Sequence, residues 1–301
     1  MIRLPRMIGS RCTSTHAALV ACTLIGLLIT LPGAVLGDTQ SPETGVDWED
    51  GFIYAWGFGL PPEGETNIAL ARRSAQRAAQ VDALRNLTEI VEGVAIDAEV
   101  TVHDEMVSDH AIKTRCTGFL RGAQPIETRF TEERTAEVLV RVAINGDGSL
   151  SDSLFPLKPR VVLDSDWSKM LPPAPPTVSD TDTIVVVITG IVVNADEMGL
   201  EPSLSPTLFL EDGSTIYARS PDHADLTIVE GNGLVGWVST LDAALESARV
   251  AANPLILKAK EVKGSALRAT DLVLSSDQLE TDIDAASLEF LLHNCKVVIV
   301  Y

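Results

Sequence analysis

Small apolar residues recur at four-residue intervals through residues 67–93: Ala71, Ala75, Ala79 and Ala83, then Leu87 and Val91. Residues four apart share one face of an α-helix, so this stretch predicts a helix nearly 40 Å long at about 1.5 Å per residue. Thr66 or Asn67 is suited to cap its start and Gly93 to stop it. An alanine ladder lets the helix backbone come close to whatever it packs on, here a sheet. Before it, "FIYAWGFGL" (52–60) reads as a strand that ends at Pro61-Pro62.

Downstream the pattern shortens towards period two. "GVAIDAEVTVH" (93–103) and, more loosely, "IKTRCTGFLRGA" (112–123) and "PIETRF" (125–130) alternate as strands. "AEVLVRVAI" (136–144) is the clearest, with Val138, Val140, Val142 and Ile144 on one face and Glu137 and Arg141 on the other. Strict alternation marks a half-buried strand of an antiparallel sheet. "FTEERT" is a charged turn before it, and "PPAPP" (172–176) sits in a stiff, extended linker placed at 158–182.

Beyond the linker, "TIVVVITGIVVNA" reads as one buried strand or a pair, and "PTLFLEDGSTIYA" as a hairpin with a tight turn at Asp212-Gly213. "STLDAALESARV" is a short helix capped by Ser239 or Thr240. "NPLILKAKEV" and "DLVLSS" are strands, "DQLETDIDAASL" a helix, and "CKVVIVY" a central strand. The expected fold class is α+β. An N-terminal domain (51–157) with one long helix on an antiparallel sheet precedes a second α+β domain (183–301) with a mixed sheet, and residues 38–50 form an exposed lead-in.

The first 37 residues change the picture of compartment. Arg3, Arg6 and Arg11 precede the uncharged run "AALVACTLIGLLITLPGAVLG", and the chain then turns acidic at Asp38. A basic start, an apolar run and a small-residue exit describe a secretory signal, with cleavage between Gly37 and Asp38. Two other readings stand beside it. The run of about 20 residues is long enough for a retained anchor, and "LVAC" offers Cys22 for lipid acylation, although too little apolar sequence precedes it. Export or outer-membrane association is expected on each reading.

The full chain carries a formal charge of −19, and loss of the three arginines of residues 1–37, where there is no acid, makes it −22. Such a surface repels nucleic acid and anionic headgroups, so nucleic acid is not an expected partner. Cys116 and Cys295 read as buried free thiols in different domains.

Few residues invite a chemical reading. Arg72, Arg73, Arg77 and Arg85 lie on the long helix among Asp82, Glu89 and Glu92. A solvated, ion-paired face is the plain reading; Arg72, Arg73 and Arg77 are also candidates for an anion or partner contact, because guanidinium binds carboxylate and phosphate in a fork. "GNGLVG" (231–236) matches a dinucleotide fingerprint as a string but lacks the following βαβ unit, so it reads as a loop. Acidic pairs such as Asp282 and Asp284 and the scattered His103, His110, His223 and His293 have no metal-site spacing. No nucleophile elbow is present. No enzyme activity, catalytic residue, metal or cofactor is expected.

"AWGFG", "ARRSAQRAAQVDALRNL", "VEGV" and "TAEVLVRVAI", in this order and spacing, resemble the lipoprotein-20 family of bacterial envelope proteins and the related N-terminal domain of flagellar assembly protein T. The resemblance covers about residues 50–150. It implies a secreted or lipid-anchored envelope protein of a Gram-negative bacterium, without known catalytic residues. The role it implies is a structural scaffold among other envelope proteins, in outer-membrane or surface-appendage assembly, with the arginine helix as architecture. A periplasmic ligand-binding module is the alternative.

Overall fold

The structure, a computed structural model, describes residues 41–131, 134–155, 187–265 and 268–301. The expected signal segment, with Cys22, Gly37 and Asp38, and the expected linker at 158–182 lie outside the described residues.

The alanine ladder forms the long helix α1 (Ile68–Gly93), capped by Asn67, whose side chain accepts from the backbone N–H groups of Ala69 and Leu70. Ala71, Ala75, Ala79, Ala83, Leu87 and Val91 are all fully buried. They face an antiparallel sheet of order β1-β2-β4-β3, made of β1 (Gly45–Asp47), β2 (Phe52–Gly59), β3 (Gln124–Phe130) and β4 (Ala136–Ala143). Residues 45–47 of the expected lead-in are therefore a sheet strand, and Trp48 behind them packs into the hydrophobic core.

Gly57 and Gly59 explain how close α1 lies. A Cβ at either position would fall under 3.0 Å from backbone atoms of Ala75, Ala79 or Ala83. Helix and strand touch backbone to backbone, which only glycine opposite alanine permits.

Neither of two expected strands forms: one is an irregular segment leading into a helix and the other is a helix. Within "GVAIDAEVTVH" only an isolated bridge, Ala95 to Thr101, is extended, and α2 (Val102–Ser108) follows. Thr101 and Asp104 cap it reciprocally, a capping box that overrides the β-branched run. "IKTRCTGFLRGA" is α3 (His110–Arg121), capped by Asp109. Ile112, Cys116, Phe119 and Leu120, the apolar side that packs on the core, repeat with helical spacing. "PIETRF" and "AEVLVRVAI" are strands as expected, and α4 (Leu150–Leu154) closes this half.

The second half has two sheets. One is parallel, of order β8-β12-β5-β9, from β5 (Gly190–Asn194), β8 (Gly236–Val238), β9 (Pro254–Lys258) and β12 (Val297–Val300). "VVIV" is internal in it and buried on both faces, as parallel strands require. The other sheet is mixed, of order β10-β11-β6-β7, from β6 (Leu208–Leu210), β7 (Thr215–Tyr217), β10 (Glu261–Lys263) and β11 (Asp271–Leu274). The α+β class and the mixed sheet thus stand as expected.

Details differ where consecutive residues serve different sheets. "NPLILKAKEV" is not one strand: the N–H of Ala259 donates to Asn194 while that of Lys260 donates to Val273, so the chain leaves the parallel sheet at β9 and enters the mixed one at β10. The Asp212-Gly213 hairpin has a three-residue loop, with Gly213 at φ 87° and the Leu210 N–H donating to Ser214, rather than a two-residue turn. "DQLETDIDAASL" divides into α7 (Ser276–Asp282) and α8 (Ala285–His293), because Asp284 caps a new helix. The remaining helices are α5 (Leu226–Asn232) and α6 (Leu241–Glu246), the latter capped by Thr240.

The described residues from Pro42 to Tyr301 form one compact unit. Leu204, from the second half, is buried in the core of the first. Its N–H donates to Ala95 at 3.0 Å, and that of Ser205 to Ile96 at 2.8 Å. Trp48 joins the cores of both halves.

Candidate functional site

The four arginines of α1 do not converge. Arg72, Arg73, Arg77 and Arg85 are all exposed. Arg85 meets Asp82 at 3.4 Å rather than Glu89, and Arg72 lies over the Phe130 ring at 5.5 Å. None of the four lines a described cleft.

A partly open cleft of about 340 Å³ lies instead where the halves meet, and two shallower ones of about 410 and 600 Å³ lie elsewhere among the described residues. One wall is the start of β2 and the end of β4, from Trp48 to Phe52 and from Ala143 to Asn145; the other is the "GNGLVG" segment with Trp237. The glycines do shape a loop. Gly233 ends α5 at φ 78°, and a Cβ there would collide with the Asn145 amide. Asn145 is fixed in turn by the Ser151 hydroxyl, which donates to its Oδ1 at 2.8 Å. The Gly146 N–H donates to Glu230 at 2.9 Å.

Arg249 secures this loop. Its guanidinium donates to the carbonyls of Gly233 at 3.2 Å and Cys295 at 3.1 Å, and also to that of Asn232. Asn232 and Gly233 carry acceptors left over at the end of the short helix α5, and Cys295 follows α8. Burial pulls the Arg249 pKa below its ordinary value, and the carbonyls take the place of a carboxylate. Tyr217, fully buried, donates to Leu234 from the other side at 2.8 Å, and burial raises its phenol pKa.

Aromatic contacts line the junction. Trp237 meets Trp48 edge-on at 6.3 Å and Tyr301 at 5.9 Å between ring centres. The Trp237 indole N–H donates to the Ser203 carbonyl at 3.0 Å. The Ser203 hydroxyl has no partner among the described residues although the residue is 1% exposed. On the same junction the Arg219 guanidinium stacks over Phe155 at 3.9 Å, and burial brings its pKa down to about 10.

The cleft's chemistry is modest. Its charged lining groups are Glu49, Asp50 and Arg249, and the last is committed to carbonyls. No histidine, lysine or cysteine belongs to its described lining. Cys116 and Cys295 are both free and buried, and burial raises both thiol pKa values. Cys116 lies on helix α3 rather than beside a strand. No group of three metal-ligating side chains occurs among the described residues. No helix among them is long and apolar enough to cross a membrane.

A second feature stands at one end of the first half. Phe58, Leu60, Ile68 and Leu70, at the end of β2 and the start of α1, are 59%, 72%, 55% and 49% exposed. Phe130, at the end of the edge strand β3 on the far side of β4, is 41% exposed.

Sequence reasoning found the glycine loop but none of the cleft's other residues. Arg249, Ser203 and Trp48 belong to no motif, and only the fold brings them together. No curated protein matches this chain. Residues 190–301 match a family model described as the second domain of Treponema pallidum Tp0624, so the second half of this molecule is similar to a domain that occurs beside other sequence.

Proposed function

We propose that this chain is a non-enzymatic, exported envelope protein that works as a scaffold through protein–protein contacts. The observation that carries the reading is the apolar end formed by Phe58, Leu60, Ile68 and Leu70, side chains left in water where one element turns into the next. Large apolar side chains exposed in this way are typical of interaction surfaces. The resemblance of residues 50–150 to lipoprotein-20 proteins and to the flagellar assembly protein T domain supports an envelope role. It points to outer-membrane or surface-appendage assembly. The signal-like start, with Gly37 and Asp38 at the cleavage point or Cys22 as an acylation site, supports export. Other envelope proteins are the partners on this reading.

The test is cross-linking in intact cells, with the chain recovered from the envelope fraction. A defined set of envelope proteins is expected with the parent and is lost with Leu60→Asp/Ile68→Asp. An unchanged set with that variant rejects the apolar end as the contact.

The 340 Å³ cleft and the Ser203 hydroxyl, without a partner among the described residues, favour a second reading, a periplasmic module for a small ligand. Native mass spectrometry of the purified protein decides it. A retained small molecule, displaced by Ser203→Val, supports binding, and bare protein mass excludes it.

A further inference from the structure

Strand β3 is an edge: the order β1-β2-β4-β3 leaves it paired with β4 alone among the described residues. Such an edge offers a row of backbone donors and acceptors to any other strand. Proteins guard edges with charge and proline, and β3 carries Pro125, Glu127 and Arg129. Its charges are arranged in a particular way. Glu127 and Arg129 flank Thr128, and they pair with Leu139 and Glu137 on the face away from α1. Thr128 and Phe130 pair with Val138 and Ala136 on the helix face, and a register shift between Pro125 and Glu127 interrupts the alternation at Ile126.

We propose that β3 pairs antiparallel with β3 of a second copy of this chain, about a two-fold axis through Thr128, joining two four-stranded sheets into one. In that register Glu127 of each copy stands opposite Arg129 of the other. Phe130 of each, on the other face, comes to the bulged segment at Ile126 of the other. Ile126 and Phe130 are 42% and 41% exposed, and both gain an apolar neighbour. Glu127 and Arg129 already form an ion pair within the strand, and self-pairing extends it to four alternating charges. Pro125 lies beyond the bulge, at the margin of the pairing, where its missing N–H costs least. The same charges would be desolvated without partners against an apolar foreign strand and would meet like charges on one with the opposite order, so they select the chain's own copy. The contact is isologous, as a two-fold axis requires.

The proposal deepens the protein-contact reading by naming one partner, and it rests on that reading for treating this edge as a contact. One strand buries little surface, so the expected dimer is weak, with Kd in about the micromolar range. The test uses the full chain in the form its own cells produce, with Thr128→Cys. Oxidation is expected to give a disulfide-linked dimer, because residues facing each other on the axis bring their Cβ atoms to about 4.5–5.5 Å, near bonding range. Val81→Cys, on the exposed face of α1, is expected to give none. By sedimentation, Glu127→Arg or Arg129→Glu alone weakens the dimer at least about tenfold, and the double swap restores it to within about threefold, with folding checked by circular dichroism. A monomer at about 100 µM, or no Thr128→Cys dimer, overturns the proposal. Recovery of envelope partners through the apolar end is a separate measurement, so either result can fail without the other.

Discussion

Helix α1 meets its sheet through Ala75, Ala79 and Ala83 against Gly57 and Gly59, whereas the second half fills its core with Tyr217, Leu234, Leu257, Leu272 and Leu274. The contrast teaches two ways of making an interior. In the first half the fit is set by backbones in contact, so no residue can grow. In the second it is set by interlocking bulky side chains, so the sensitive change is a loss of volume.

The most severe test of that contrast is Gly57→Val, which places a branched side chain onto the backbone of Ala79 and Ala83. A loss of more than about 3 kcal/mol is expected, at or beyond the upper end of overpacking, read as collapse of the urea midpoint and of helical circular dichroism. Leu272→Ala, at a fully buried position of the second half, is expected to cost about 3 kcal/mol by leaving a cavity. Small apolar molecules that fill cavities should partly restore its melting temperature and should do nothing for Gly57→Val.

Arg249→Met removes the donors to the Gly233 and Cys295 carbonyls. About 2 kcal/mol is expected, because those acceptors lose charged partners in a place only partly open to water. Faster amide exchange through residues 232–236, with β5 unchanged, would locate the effect in the loop.

Asp271→Asn addresses the seam between the halves. Burial raises the Asp271 carboxyl above its ordinary value, against bonds from Thr207 and Thr270, and Asp97 and Glu99 of the first half add repulsion. A raised acid contributes stability that is fully present below its unfolded value of about 3.9 and lost as pH rises through the folded one. The asparagine variant is therefore expected to be slightly more stable than the parent at pH 7 and equal to it near pH 3. Urea midpoints across that range check the sign. The smallest effect belongs to Arg73→Ala/Arg77→Ala, on the exposed face of α1. A change within about 0.5 kcal/mol is expected, and a larger one by thermal melt would mean that these arginines help hold the fold.

Legibility followed the same division. The alanine ladder, the Asn67 cap and the alternation of "AEVLVRVAI" were readable because one element carried the whole signal. α3 and the segment leading into α2 read as strands because β-branched residues at Val100–Val102 and Ile112–Thr117 outweigh two caps, Thr101 and Asp109, that are present in the sequence. The cleft was not readable. Its walls come from residues near 50, 145, 203, 235 and 249, and no local pattern connects them.

The sequence by itself determined the long helix, the class of the fold, the acidic surface and the buried character of "VVIV", since each depends on neighbours a few residues apart. Only the tertiary structure decided that Gly57 and Gly59 receive the alanine face. It also decided that Arg249 answers carbonyls rather than an acid, and that the two halves close on each other around Trp48 and Leu204. The physical reason is that close approach, desolvation and pairing are properties of atoms far apart in the chain, and their energies exist only once the backbone has brought them together.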